Sequence, residues 1–218
     1  MPKGMLGNSE TLREFISGPV TDLLVKANGE DADTWQREFA KFLRKEPTWQ
    51  TGPAVQSRER PKLLEYIATE PVTATKRFVA DSHFVVDTSE EAGVKIACLW
   101  ETFRTNFATK VETGIPAGRL RLHRLLQDST DTSIIAELGP AHETYLADLW
   151  KKLRQQRGGE PGYLSLDEPG NIFYIRDVYG VLQSVYVSWA ACYGGWTIGA
   201  RPVTYLPPWR YDLRISSR

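Results

Sequence analysis

Seven tryptophans, nine tyrosines and eight phenylalanines are spread through 218 residues, yet ten of these rings crowd into positions 171–218. Aromatic side chains suit the pleated, half-buried surface of a sheet, and glycines and prolines punctuate the stretch at short intervals, so it predicts strands. Residues 171–177 and 181–190 read as two strands joined by a turn, with Gly180 where a positive φ is needed. Tyr193-Gly194-Gly195 turns the chain into a third strand over 196–200. The product is an antiparallel meander. Along its middle strand Val185, Val187 and Trp189 alternate with Ser184, Tyr186 and Ser188, which predicts one apolar and one polar face. Pro202, Pro207 and Pro208 lack the amide donor a ladder needs, so the tail is expected at an edge or in a wrapping loop.

A meander alone has nothing to bury its apolar face against, and the best partner is helical. Over 141–157, Tyr145, Leu146, Leu149, Trp150 and Leu153 recur at helical spacing, Lys151, Lys152, Arg154 and Arg157 load the C-terminal end, and Gly158-Gly159 stops the helix. Between this helix and the N-terminal part the chain is mixed. The spacing predicts a short helical piece over 62–68, a strand at Phe84-Val85-Val86, and a helix over 99–107 with Trp100, Phe103 and Phe107 on one side. Over 118–126, where Leu120, Leu122 and Leu125 lie near strand alternation, strand and helix both remain open.

The N-terminal part carries two helical patterns. Leu12, Phe15, Ile16, Val20, Leu23 and Leu24 form one stripe, interrupted at Gly18-Pro19 and ended by Asn28-Gly29. A second helix starts after 31–33, where Asp33 can cap free amides, and stops before Pro47; its apolar side is Trp35, Phe39, Phe42 and Leu43. Arg37, Lys41, Arg44 and Lys45 make a basic ridge that reads as a solvated face or a contact for an anionic partner. From Pro47 to Pro61 the pattern has no period, which marks a linker. The expected organisation is α+β: a helical unit over 1–46, a linker over 47–61, and a mixed domain over 62–218 whose C-terminal meander packs on a helix.

Two groups of strings carry a resemblance. Ala27-Asn28-Gly29-Glu30-Asp31 with Phe39-Ala40-Lys41-Phe42-Leu43-Arg44-Lys45-Glu46 resembles an N-terminal segment of uncharacterised modular proteins of candidate-phylum bacteria. Phe84-Val85-Val86-Asp87-Thr88-Ser89, Ile134-Ile135-Ala136-Glu137-Leu138-Gly139 and Asn171-Ile172-Phe173-Tyr174-Ile175-Arg176-Asp177 resemble a C-terminal module in some of them. The resemblance implies two modules and brings no catalytic residue, since no activity is established for that group.

Charge and chemistry narrow the function. Lysine plus arginine equals aspartate plus glutamate, 27 against 27, so no global field steers the chain onto nucleic acid or an anionic membrane. There is no apolar N-terminal run of signal-peptide type and no stretch long enough to span a membrane, which predicts a soluble, cytoplasmic protein. Cys98 and Cys192 allow at most one disulfide. No glycine-rich phosphate loop is present, so no nucleotide cofactor is expected. His83, His123 and His142 lie in no paired-ligand pattern; Asp81, His83 and Asp87 could share a strand face, but no metal site is expected from them. The catalytic candidates are Cys98 with His123 as its base, or His123 with Glu137 and His142, with Asp177 at a turn.

The C-terminal stretch is more specific. It holds Arg176, Arg201, Arg210, Arg214 and Arg218 against two acids, Asp177 and Asp212. Arginine interleaved with tyrosine and tryptophan stacks rings or sugars and pairs with anions. Arg176, Tyr186, Trp196, Arg201, Trp209 and Arg210 are the ligand-binding candidates, against the alternative that these rings fill the core of a small sheet. The reading is a binding protein with a protein partner and an aromatic- and arginine-rich recognition sheet. The alternatives are a small hydrolase- or transferase-type enzyme, and a nucleic-acid-binding protein.

Overall fold

The computed structural model describes residues 32–44, 62–205 and 207–218. The helix expected over 12–24 and the linker over 47–61 lie outside the described residues. The chain divides into two units, Met1–Arg60 and Pro61–Arg218. In the first, helix α1 spans Ala32–Leu43 and gives way to a turn at Arg44, close to the expected bounds.

The second unit is α+β. Its strands are β1 (Leu64–Val72), β2 (Thr75–Val79), β3 (Ile96–Leu99), β4 (Val111–Ile115), β5 (Gly118–Leu125), β6 (Asn171–Arg176), β7 (Leu182–Ala190), β8 (Gly195–Pro202) and β9 (Arg214–Ser217). Its helices are α2 (Glu101–Phe107), α3 (Asp131–Leu138) and α4 (Leu146–Gln155). Seven strands form one mixed sheet in the order β1-β5-β9-β6-β7-β8-β3, and β2 pairs with β4 in a small second sheet. The meander β6-β7-β8 is antiparallel, as its sequence predicts. Gly180 sits in the first turn at φ +80°, and the Asp177 carboxylate accepts from the Tyr179 and Val181 amides.

Both faces of this sheet are covered, which the alternation along β7 does not predict. On one face α4 lays Leu146, Leu149 and Leu153 against Phe173, Ile175, Val185, Val187, Trp196 and Ile198, with Phe103 and Phe107 of α2 in the same cluster. On the other, Ile134 of α3 packs with Leu64, Leu125, Ile172, Tyr174, Leu213 and Ile215. β6 shows the consequence: its first five residues are all buried, Phe173 and Ile175 towards one cluster and Ile172 and Tyr174 towards the other. Ser184 and Ser188, expected on a polar face, are buried as well.

Four expectations are corrected. From Leu64 on, the stretch expected as a helix over 62–68 belongs to strand β1, because pairing with β5 from Leu64↔Leu125 to Val72↔Gly118 overrides its helix-forming Glu and Ala residues. Phe84-Val85-Val86 is not a strand: Phe84 enters a ring cluster with Phe78, Phe103 and Trp150, while Val85 and Val86 are exposed. The helix expected over 141–157 begins only at Leu146, where the buried Glu112 carboxylate of β4 accepts from the Leu146 and Ala147 amides. Burial pushes the Glu112 carboxyl above its ordinary range. The tail ends as β9, an interior strand antiparallel to β5 and parallel to β6. The open choice over 118–126 resolves as strand β5.

Candidate functional site

Helix α3 covers only part of its face of the sheet. Beyond it, over β7 and β8, Glu168 and Pro169 on one side and Pro202, Tyr205, Pro208, Trp209 and Arg210 on the other line a pocket of about 570 Å³. Trp209 is brought there by its backbone, which exchanges two hydrogen bonds with Ser129 (2.8 and 3.0 Å), while Tyr211 N donates to Asp128 Oδ1. That clasp sets the tail beside the start of α3, whose N-cap Thr130 accepts from Ser133 N.

Asp131, in the first turn of α3, organises the wall. It is wholly buried, and its Oδ1 accepts from Tyr174 Oη at 2.9 Å, Ser184 Oγ at 2.8 Å and Trp209 Nε1 at 2.6 Å. Its Oδ2 accepts from Arg201 Nη2 at 3.3 Å. Burial and the adjoining Asp131 charge push the Tyr174 phenol far above its ordinary range, so it stays a donor. Four donors on one buried carboxylate, three on Oδ1 and one on Oδ2, tie β6, β7, β8 and the tail together.

The rings stack on this frame. The Arg201 guanidinium carbon lies 3.5 Å from the Trp209 ring centroid and 5.1 Å from that of Tyr205. Tyr186 stacks on Trp209 at 5.7 Å, and Trp100, the N-cap of α2, stands 6.3 Å from Tyr186. Gly199 makes room for Trp100: a Cβ there would come within 2.7 Å of the indole. Glu168, Pro169, Pro202, Pro208 and Arg210 complete the rim.

Four of the six ligand-binding candidates therefore converge: Tyr186, Arg201, Trp209 and Arg210. Trp196 does not join them. It is buried on the opposite face, where its Nε1 donates to Gln156 O at 2.9 Å and its ring meets Trp189 edge to face. Arg176 stands apart too, pairing with Glu143 and donating to Gly180 O across the β6–β7 turn. Arg214 donates to Gly162 O and Tyr163 O, and Arg218 pairs with Asp148 and packs on the Tyr145 ring.

The catalytic candidates are not assembled. Cys98 on β3 and His123 on β5 are separated by β9, β6, β7 and β8, roughly 24 Å at the usual strand spacing. Cys98 is exposed rather than a buried small hydrophobe, and both thiols are free. His123 Nε2 shares a hydrogen bond of 3.1 Å with Ser217 Oγ. Glu137 accepts from the Leu63 and Leu64 amides and so fixes the start of β1. His142 Nδ1 donates to Gly139 O, with Nε2 at 3.7 Å from a Glu143 carboxylate that Arg176 already holds. His83 donates to Val79 O and stacks on Phe78. Among the described residues no group of His, Cys, Asp and Glu is placed to hold a metal ion, and no helix is long and apolar enough to cross a membrane.

Sequence reasoning misses Asp131, Trp100, Ser184, Glu168 and Tyr205. The Thr130–Ser133 cap signature was available to mark Asp131 as a helix start, but nothing in the sequence says which strand that start meets. Compared with known proteins, the chain matches no family model, no curated protein and no solved structure.

Proposed function

We propose that the unit of residues 61–218 is a binding module that takes a small ligand in the pocket over β7 and β8. One observation carries this reading: Tyr186, Arg201, Trp209 and Arg210, drawn from three separate segments, converge on one concavity whose wall is fixed by a buried carboxylate. Largely preformed pockets with a ring-rich lining and a few oriented polar groups are the usual form of small-molecule sites. An enzyme using His123, Glu137, His142 or Cys98 would need them within hydrogen-bond reach of one another in such a concavity, and they stand apart. An extended nucleic-acid surface would need a row of uncommitted cations, whereas Arg176, Arg214 and Arg218 are each held by protein partners outside the pocket.

The test is a thermal-shift panel of nucleosides, nucleotides, monosaccharides and aromatic acids against the wild type and Trp100→Ala. Trp100 is 52% exposed, so its truncation is expected to leave the free protein's Tm within a few degrees while weakening binding about tenfold or more, the usual scale of a lost ring stack. No shift at millimolar concentration, or a shift that survives in Trp100→Ala, contradicts the proposal.

A further inference from the structure

The pocket wall is unusual in what it leaves out. No Leu, Ile, Val or Met side chain contributes to its described lining, which is built from tryptophan, tyrosine, proline, glycine, alanine and a few polar groups. The described wall offers flat faces, so it favours a flat ring over a flexible hydrocarbon. Trp100 and Tyr186 supply those faces.

Its polar groups are biased towards donors. Arg201 sits over the Trp209 ring, and among the described residues its one hydrogen bond runs from Nη2 to Asp131; its Nε is buried with no acceptor. A guanidinium has five N–H donors, and a buried donor without a partner calls for an explanation. The balancing charge, Asp131, offers a ligand nothing: it is wholly buried and already accepts from Tyr174, Ser184, Trp209 and Arg201. A second cation, Arg210, lines the same pocket. Among the described residues the one acidic lining residue, Glu168, has its Oε2 accepting from Tyr186 Oη at 3.4 Å. A cationic ligand fits poorly, because a guanidinium already occupies a face of Trp209.

We infer that the pocket selects a flat conjugated ring bearing an anionic group, a carboxylate or a phosphate, with the ring against Trp100 and Tyr186 and the anion read by Arg201. The inference rests on the pocket being a ligand site, and its test separates the two claims. Binding is measured by calorimetry at low and moderate salt for two sets of probes: indole-3-acetate, indole-3-acetamide and tryptamine, and adenosine 5′-monophosphate with adenosine. In at least one set the anion is expected to bind about tenfold or more tightly than its neutral counterpart, with the advantage shrinking as salt rises and tryptamine weakest of the indoles. The set showing the advantage tells carboxylate from phosphate.

Arg201→Gln should erase the advantage, so that the anion binds no more tightly than its neutral counterpart. Because that variant strands Asp131, the double variant Asp131→Asn/Arg201→Gln, which removes both charges, serves as the second arm and should show the same loss; Arg201→Lys should keep most of the advantage. Neutral rings binding as tightly as the anions, or an advantage that persists in both Arg201→Gln backgrounds, overturns the charge inference and leaves the ligand site standing. Absence of binding by every ring compound to the wild type overturns both.

Discussion

Deleting the Asp131 carboxylate strands the Tyr174 hydroxyl, the Ser184 hydroxyl, the Trp209 indole N–H and the Arg201 guanidinium at once. Removing one partner of a buried charged network costs about 3–5 kcal/mol, so Asp131→Ala is expected to lose that much in chemical denaturation. A loss under about 1 kcal/mol would show that the cluster does not hold the wall. His123 gives a pH signature. Burial, with help from Arg121, lowers its pKa below the ordinary 6.5, against a smaller opposing pull from Glu137. The unfolded chain therefore binds the proton more readily than the fold does, and this contribution to stability, present above about pH 6.5, is lost as pH falls towards the folded pKa. His123→Gln should flatten that part of a stability–pH profile; an unchanged slope would place its cause elsewhere. At this scale composition made Tyr186, Arg201, Trp209 and Arg210 legible. Asp131 was not, because one carboxylate among many gains meaning only from the donors that folding brings to it.

The elements read from strong local periodicity survive: the meander, its Gly180 turn, and the buried stripe of α4. Those that fail are short segments whose state is set by distant partners. β1 is a strand because β5 lies beside it, and β9 is only four residues long, with an arginine and two serines around Ile215. Its place between β5 and β6 is non-local information: Asn171↔Arg214 pairs on one side and Arg124↔Arg214 on the other. Ile215 is fully buried there, so Ile215→Ala is expected to destabilise the unit by about 2–5 kcal/mol, as for other buried aliphatic truncations. A tail merely wrapping the surface would lose far less, and urea midpoints distinguish the two.

Across the whole unit, the two faces of one sheet are covered differently. The face under α2 and α4 is closed by a continuous apolar cluster that includes Trp196 and packs Trp150 and Trp189 at its margin. The face under α3 is closed only in part, and its remainder, over β7 and β8, becomes a pocket because the tail returns to the sheet and hands Trp209 to Asp131. The alternation along β7 predicts a simple polar face, because it cannot register a covering supplied by a helix some fifty residues upstream and a tail some twenty downstream. Ligand is expected to enter on this second face. Fluorine NMR of protein labelled with 5-fluorotryptophan tests it directly, with the seven tryptophan signals assigned by single Trp→Phe variants. On titration with adenosine 5′-monophosphate or indole-3-acetate, the account predicts saturable shifts of the Trp100 and Trp209 signals while those of Trp150 and Trp196 stay fixed; shifts confined to Trp150 and Trp196, or none at Trp100 and Trp209, would contradict it.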